Sequence, residues 1–327
     1  MPIDYGKRRG ESRWRVDERM RCGRRALVAR PCLDLVSGAM NGRLRCAVYL
    51  PNFGAFGDAR VLSELAQEAE AAGWDGFFLW DHIARPFSTP MVDPWIALAA
   101  VAVATARLRI GALVTPLPRR RPWKVAREAV SLDHLCGGRL VLGVGTGSPG
   151  GGDVEWSNLG EEMEAKARGA MLDEGLSILT GLWSGAAFSH DGRHYHVREA
   201  RFEPPPLQRP RIPIWVAGGW PNLRPFRRAA RWDGAFPWFA PGSDGVDQLR
   251  AVAEFVRAER AGDEVIDIVY ATAPSAAGGG GLEAFADAGA SWWLARIEPE
   301  FFGSRWRDPW PLERMRGYIR DGPNLSP

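Results

Sequence analysis

Cysteine is scarce and scattered. Cys22, Cys32, Cys46 and Cys136 form no CxxC pair, and only five histidines accompany them. That spacing excludes a structural zinc site and a disulfide scaffold, and it suits a reducing compartment. No apolar run reaches the roughly 18 residues that a membrane span needs. Met1–Gly42 lacks the order of basic, apolar and small-residue segments that marks a secretory signal, so a cytoplasmic location is expected. There is no GxSxG nucleophile motif. No GxGxxG with a downstream acidic residue follows the first predicted strand, which disfavours an open dinucleotide-binding sheet. A charge surplus is missing as well. Of the formal +3, residues 1–40 hold ten basic and five acidic side chains, leaving 32 basic against 34 acidic beyond them. The globular part therefore offers no electrostatic case for a nucleic-acid partner.

What the chain does have is a long series of short apolar runs, each followed by a helical pattern. The clearest run is Arg139–Gly147, RLVLGVGTG. It reads as a buried parallel strand opening into a tight glycine-rich loop, where backbone and ligand can approach closely. Similar runs occur at Leu44–Leu50, Phe77–Trp80, Leu108–Val114, Ile214–Ala217, Gly234–Trp238, Ile266–Ala271 and Trp292–Ile297. Helical periodicity separates them at Asp58–Ala72, Pro94–Thr105, Pro122–Cys136, Glu161–Trp183, Leu223–Arg231, Val246–Ala261 and Leu282–Ala288, with a closing helix at Trp310–Ile319. Ala187–Val197 interrupts the series as a polar hairpin turning at Asp191-Gly192. Eight β–α units predict an α/β fold, a (β/α)₈ barrel with a hairpin and a lid inserted between its fourth and fifth strands. The expected division is a basic arm over residues 1–42, one barrel domain over 43–320 and a tail over 321–327. Residues 1–40 are either a flexible arm or an extension ahead of a true start near Met40.

A barrel of this kind collects its chemistry at the C-terminal rim. The predicted strand ends there are Pro51–Phe53, Asp81-His82, Thr115-Pro116, Gly145–Ser148, Gly218–Trp220, Pro237-Trp238, Thr272 and Arg296. Glycines for close approach, backbone N–H groups for phosphate and aromatic faces suit a planar, phosphorylated ligand. Asp81 and His82 are the candidate catalytic pair. His82 either exchanges a proton near neutral pH or hydrogen-bonds a ligand; the bland alternative is a capping Asp81 and a structural His82. The Gly218–Trp220 turn leads to a helix start that would hold phosphate with Arg224, Arg227 or Arg228, or is a plain βα turn with solvated arginines. Arg119–Arg121 reads either as a solvated loop or as a phosphate-neutralising rim. His190, His194 and His196 lack the acidic partners of a metal set.

Three ordered stretches, GWDGFFLWDH (Gly73–His82), RLRIGALVTPLPRRRPWKVAREAVSLDHLCGGRLVLGVGTG (Arg107–Gly147) and IPIWVAGGWPNLRPFRRAARWDGAFP (Ile212–Pro237), resemble the bacterial luciferase-like monooxygenase superfamily. The resemblance runs from Leu44 to about Arg320. It implies FMN or the deazaflavin F420 at the barrel mouth, and a backbone bulge, often a non-prolyl cis peptide, within Ala112–Thr115 behind the ring. It implies cofactor contacts from Ala112, Leu113, Val114 and Thr115, from Gly145, Thr146, Gly147 and Ser148, and from Gly218, Gly219 and Trp220. His82 would lie near the reactive carbon, with Asp81 beside it, and Pro149–Gly160 would form a lid hinged on Gly150, Gly151 and Gly152. F420 would transfer hydride, with Arg119–Arg121 meeting its polyglutamate tail. Reduced FMN would support monooxygenation and call for a flavin reductase partner; a third alternative is an inactive barrel. Trp80, Trp95, Trp220 and Trp238 point to a small, largely apolar substrate, and family similarity to a homodimer.

Overall fold

The computed structural model describes residues 43–148, 154–240, 245–262 and 264–323. The predicted arm at 1–42, Pro149–Asp153 of the predicted lid and residues 324–327 of the predicted tail lie outside that description. Among the described residues there are eleven strands and eight α-helices. The strands are β1 (Arg45–Leu50), β2 (Gly76–Leu79), β3 (Arg109–Ala112), β4 (Thr115–Pro116), β5 (Leu142–Gly145), β6 (Phe188–Asp191), β7 (His196–Ala200), β8 (Ile214–Gly219), β9 (Gly234–Trp238), β10 (Asp267–Thr272) and β11 (Trp292–Arg296). The helices are α1 (Ala59–Ala71), α2 (Pro94–Ala104), α3 (Pro122–Leu135), α4 (Ala165–Trp183), α5 (Leu223–Ala229), α6 (Gly245–Glu259), α7 (Gly281–Asp287) and α8 (Leu312–Asp321).

Nine strands pair in parallel in the order β3-β2-β1-β11-β10-β9-β8-β5-β4. β3 and β4 are two halves of one stave, broken at a cis Leu113–Val114 peptide inside the predicted bulge segment. The ring closes because β3 also meets the start of the β5 stave: Ile110 pairs with Leu140, and Val141 N–H donates to the Ile110 carbonyl at 2.9 Å. Eight staves thus form the expected barrel. β6 and β7 make a separate antiparallel hairpin between α4 and β8. Its connection spans residues 192–195, longer than the two-residue turn predicted, because Glu174 on α4 accepts the N–H groups of Arg193, His194 and Tyr195.

Local chemistry explains the element limits. Asp58, Asp93 and Glu164 accept the first free N–H groups of α1, α2 and α4, and Pro94 and Pro122 occupy first turns where no N–H is needed. Glu164 starts α4 four residues later than the apolar periodicity predicts. Gly137 and Gly138, both with positive φ, stop α3 and turn the chain into the β5 stave. Arg139 then holds this corner: its buried guanidinium donates to the carbonyls of Ala102, Thr105, Leu108 and Cys136 and to Thr105 Oγ1.

Two cores result. The larger lies between barrel and helices. The smaller fills the barrel itself, with Tyr49, Phe78, Trp215, Phe236 and Trp292 among Ala47, Leu113, Val141, Val269 and Leu294. Each fully buried large apolar side chain contributes about 1.5–3 kcal/mol by leaving water. Such bulk fits only because Gly111 and Gly143 let adjacent staves approach: an added Cβ would lie 2.1 Å from Val141 O or 2.2 Å from Leu113 Cδ2. Among the described residues no helix is long and apolar enough to cross a membrane.

Candidate active site

The barrel core stops short of the C-terminal rim and leaves a cavity of about 470 Å³. Its floor is the broken stave, Leu113 and Val114, with Tyr49 beneath. Tyr49 OH donates to the Leu113 carbonyl at 2.5 Å. Burial, aided by the charge of Glu298, pushes the Tyr49 phenol strongly up, so it remains the donor in this bond. One wall is the glycine-rich exit of β5, Gly145, Thr146, Gly147 and Ser148. Opposite it stand Ala217, Gly218 and Gly219 at the end of β8, with Trp80, His82, Arg119, Glu155, Trp156 and Trp238 completing the lining.

Most residues expected at the cofactor meet at this cavity: Leu113, Val114, Gly145 to Ser148, Gly218 and Gly219. Ala112 and Thr115 are buried beside it and do not line it; the Thr115 hydroxyl finds no hydrogen-bond partner among the described residues. Trp220 turns away, its ring packed edge-on against Phe226 and Phe255 at 5.5 and 6.2 Å. Two of the arginines after it are engaged elsewhere. Arg228 pairs with Asp173 and Arg227 with Glu259, and the start of α5 is capped by Asn222. Of the four tryptophans read as substrate-facing, Trp80 and Trp238 line the cavity; Trp95 is buried, its indole donating to Asp81 at 3.3 Å.

The two members of the candidate pair differ sharply. Asp81 borders the cavity through its backbone, while its carboxylate is fully buried. It receives Arg120 Nη2 at 2.8 and 3.0 Å and Arg119 Nη2 at 3.4 Å, with Arg119 also donating to its carbonyl at 2.9 Å. Burial alone would depress the Arg120 guanidinium; the Asp81 charge overrides it and leaves Arg120 raised. Arg119 and Arg120 are thus spent on buried carboxylates, and only Arg121 of the triplet is exposed, which removes the free basic rim read from the sequence.

His82 is 28% exposed and faces the cavity. Its backbone is held on both sides by Asn52, which accepts from His82 N–H at 3.2 Å and donates to its carbonyl at 2.8 Å. Phe53 and Trp80 brace the ring at 5.8 and 5.6 Å. Nδ1 lies 3.0 Å from Glu155 Oε2, and Nε2 makes no hydrogen bond among the described residues. Glu155 also accepts from the N–H groups of Ile83 and Ala84, at 2.6 and 3.0 Å, and meets Arg119 Nη1 at 3.1 Å. Burial would raise the Glu155 carboxyl, but the His82 bond and charge, the Ala84 N–H and Arg119 hold it at about 2.

Tyr49, Glu155 and Trp156 escape sequence reasoning. Tyr49 shows a signal in retrospect, as the polar tip on an inward position of β1. Glu155 and Trp156 show none, because their partners are distant in sequence. Trp156 lies over Gly147, where a Cβ would come within 2.0 Å of its ring, and its ring is near the guanidiniums of Arg119 and Arg168, at 5.8 and 5.1 Å.

Similarity to known proteins follows the same outline. The sequence model described as luciferase-like monooxygenase matches residues 43–294. An uncharacterized protein of Mycobacterium tuberculosis is 35% identical over 211 residues, 59% of this chain and 69% of the relative. The oxygenase component of a flavin-dependent trigonelline monooxygenase from Acinetobacter baylyi is 31% identical over 50% of this chain and 44% of its own length. An F420-dependent glucose-6-phosphate dehydrogenase from Gordonia bronchialis is 35% identical over 50% and 48%. The solved structure of an F420-dependent secondary alcohol dehydrogenase superposes with a TM-score of 0.64, covering 78% of this chain and 93% of that one at 16% identity, a likeness of fold. Since the matched span enters with β1 and ends within β11, taking in the whole ring of staves, the chain belongs to the luciferase-like monooxygenase family.

Proposed function

We propose that the protein is an oxidoreductase that binds F420 at the C-terminal mouth of its barrel and acts on a small, largely apolar organic molecule. The observation that carries this reading is His82, which lines the cavity, meets Glu155 at Nδ1 and makes no hydrogen bond at Nε2 among the described residues.

The residues fit such a cofactor. A cavity of about 470 Å³ is within the usual range for small-molecule sites. Leu113 and Val114 would support a planar ring from behind, and a Cβ on Gly219 would meet nothing within 4 Å, so that wall has room to spare. Trp80, which lines the same space, has its Nε1 buried without a partner among the described residues. When bound, F420 supplies hydride transfer. His82 would hold or accept the proton exchanged by the substrate, while Trp80, Trp156 and Trp238 exclude water around it. Asp81 has no proton-transfer role in this reading; it neutralises Arg119 and Arg120. A homodimer belongs to the same proposal.

The runner-up cofactor is reduced FMN, serving monooxygenation with a flavin reductase as partner; the wall of tryptophans favours it, because oxygen chemistry on a flavin needs a dry pocket. Separate titrations of the purified protein with F420 and FMN decide between them. Tight F420 binding without FMN affinity supports the proposal, and the opposite result replaces it with the monooxygenase. Binding of neither leaves the inactive barrel. Replacing His82 by Ala is expected to lower turnover about 10²–10⁴-fold at unchanged cofactor affinity.

A further inference from the structure

Glu155 divides its two oxygens in a way that has consequences for His82. Oε1 accepts two backbone donors, Ile83 N–H at 2.6 Å and Ala84 N–H at 3.0 Å. Oε2 faces His82 Nδ1 at 3.0 Å and Arg119 Nη1 at 3.1 Å. Two backbone N–H groups donate to the carboxylate and Arg119 Nη1 adds an ion-pair contact, so His82 Nδ1 is the ring nitrogen placed to donate to Oε2. The neutral imidazole has one N–H, and its position follows the hydrogen bond that the other nitrogen makes. A free imidazole side chain in water prefers the proton on Nε2; next to an ionised carboxylate, the proton belongs on Nδ1.

We propose that Glu155 is a positioning residue that fixes His82 in the Nδ1–H tautomer, leaving the Nε2 lone pair directed to the cavity as the proton acceptor. The catalytic value of this arrangement rests on the reading of His82 given above; the tautomer itself does not. Independently of His82, two backbone N–H groups and the Arg119 guanidinium favour the ionised form of Glu155. Asn52, Phe53 and Trp80 fix the backbone and ring plane of His82, so Glu155 need only choose the proton's place.

An isosteric change makes the proposal testable. In Glu155→Gln the amide oxygen must stay at the Oε1 position, because two backbone N–H groups point there. The amide NH₂ then occupies the Oε2 position, where the Arg119 guanidinium, 3.1 Å away, has to draw back, and donates to His82 Nδ1, which has to give up its proton. The tautomer reverses, with Nε2 protonated and unable to accept. A residue that merely anchored the loop at Ile83 and Ala84 would leave the ring tautomer unchanged in this variant, since Gln keeps that anchor.

The experiment is ¹⁵N NMR of the ligand-free full chain with labelled histidine, at a pH above about 8 where ordinary histidines are neutral. The signals of His82 among the five histidines are identified by their loss in His82→Gln. The expected result is a protonated-type Nδ1 and an unprotonated-type Nε2 in the wild type, exchanged in Glu155→Gln and averaged in Glu155→Ala. A wild-type ring carrying its proton on Nε2, or a Glu155→Gln spectrum identical to wild type, overturns the inference. Titrations of the same samples with F420 and with FMN keep the two claims apart. Failure of both to bind contradicts the proposed function, while the inference is decided by the tautomer alone.

Discussion

Replacing Asp81 by Asn separates a structural carboxylate from a catalytic one. The Asp81 side chain is fully buried, and its partners Arg119 and Arg120 are 3% and 18% exposed at the side chain. Removing one partner of such a largely buried group leaves charge without compensation, at a cost of about 3–5 kcal/mol. Asn keeps the shape and one acceptor oxygen, which places the change near the lower figure. For a domain of this size, with an unfolding entropy of about 0.6 kcal/mol/K, about 3 kcal/mol corresponds to a fall in melting temperature of roughly 5 °C. Differential scanning fluorimetry measures it, and the variant folded at low temperature should retain part of its cofactor affinity. Adding Arg120→Met to Asp81→Asn should cost less than Arg120→Met in the wild type, because the stranded guanidinium is gone. An Asp81→Asn protein with unchanged melting temperature and abolished turnover would refute this assignment and return Asp81 to the chemistry.

Three further outcomes follow from the same geometry. Gly143→Ala should destabilise the barrel by about 1–3 kcal/mol and weaken cofactor binding, since its Cβ falls 2.2 Å from Leu113 Cδ2 and 2.7 Å from Ala112 O; Gly219→Ala, with open space around it, should melt like the wild type. Tyr49→Phe loses the hydrogen bond to Leu113 O, and thermal unfolding should show a loss of about 0.5–1.5 kcal/mol from that bond, with more if the carbonyl stays unpaired. Glu155, held at about 2 against an ordinary 4.5, contributes stability that is complete above pH 4.5 and lost as the pH falls toward 2. The stability gap between wild type and Glu155→Gln should therefore close over that window in acid titrations, and a gap that persists at pH 2 would contradict the assignment.

The barrel is legible in the sequence because each stave is a short apolar run, most of them closed by a glycine or proline signal, and the helices between carry three- and four-residue spacing. Gly234–Trp238 coincides with β9, and most other limits differ by one to three residues. The third stave is the exception: Leu108–Val114 reads as one strand, yet it divides into β3 and β4 at Leu113–Val114, and only family resemblance points there. Site chemistry is legible where a side chain follows directly from a strand end, as with His82 and the glycines of β5 and β8. It is hidden where long-range charge decides. Nothing local shows that Asp81 will be enclosed by Arg119 and Arg120, or that Glu155, in a polar glycine-rich segment, will reach back to His82. Trp220 fails for a related reason, because which side of the chain an aromatic takes after a strand depends on the helices it meets, here α5 and α6.

A crystal structure of the protein grown with F420 tests the central claim most directly. The expected result is the deazaflavin ring against Leu113 and Val114 at the barrel mouth, flanked by the glycines of β5 and β8 and within reach of His82. A ring bound elsewhere, or His82 turned away from it, would contradict the claim.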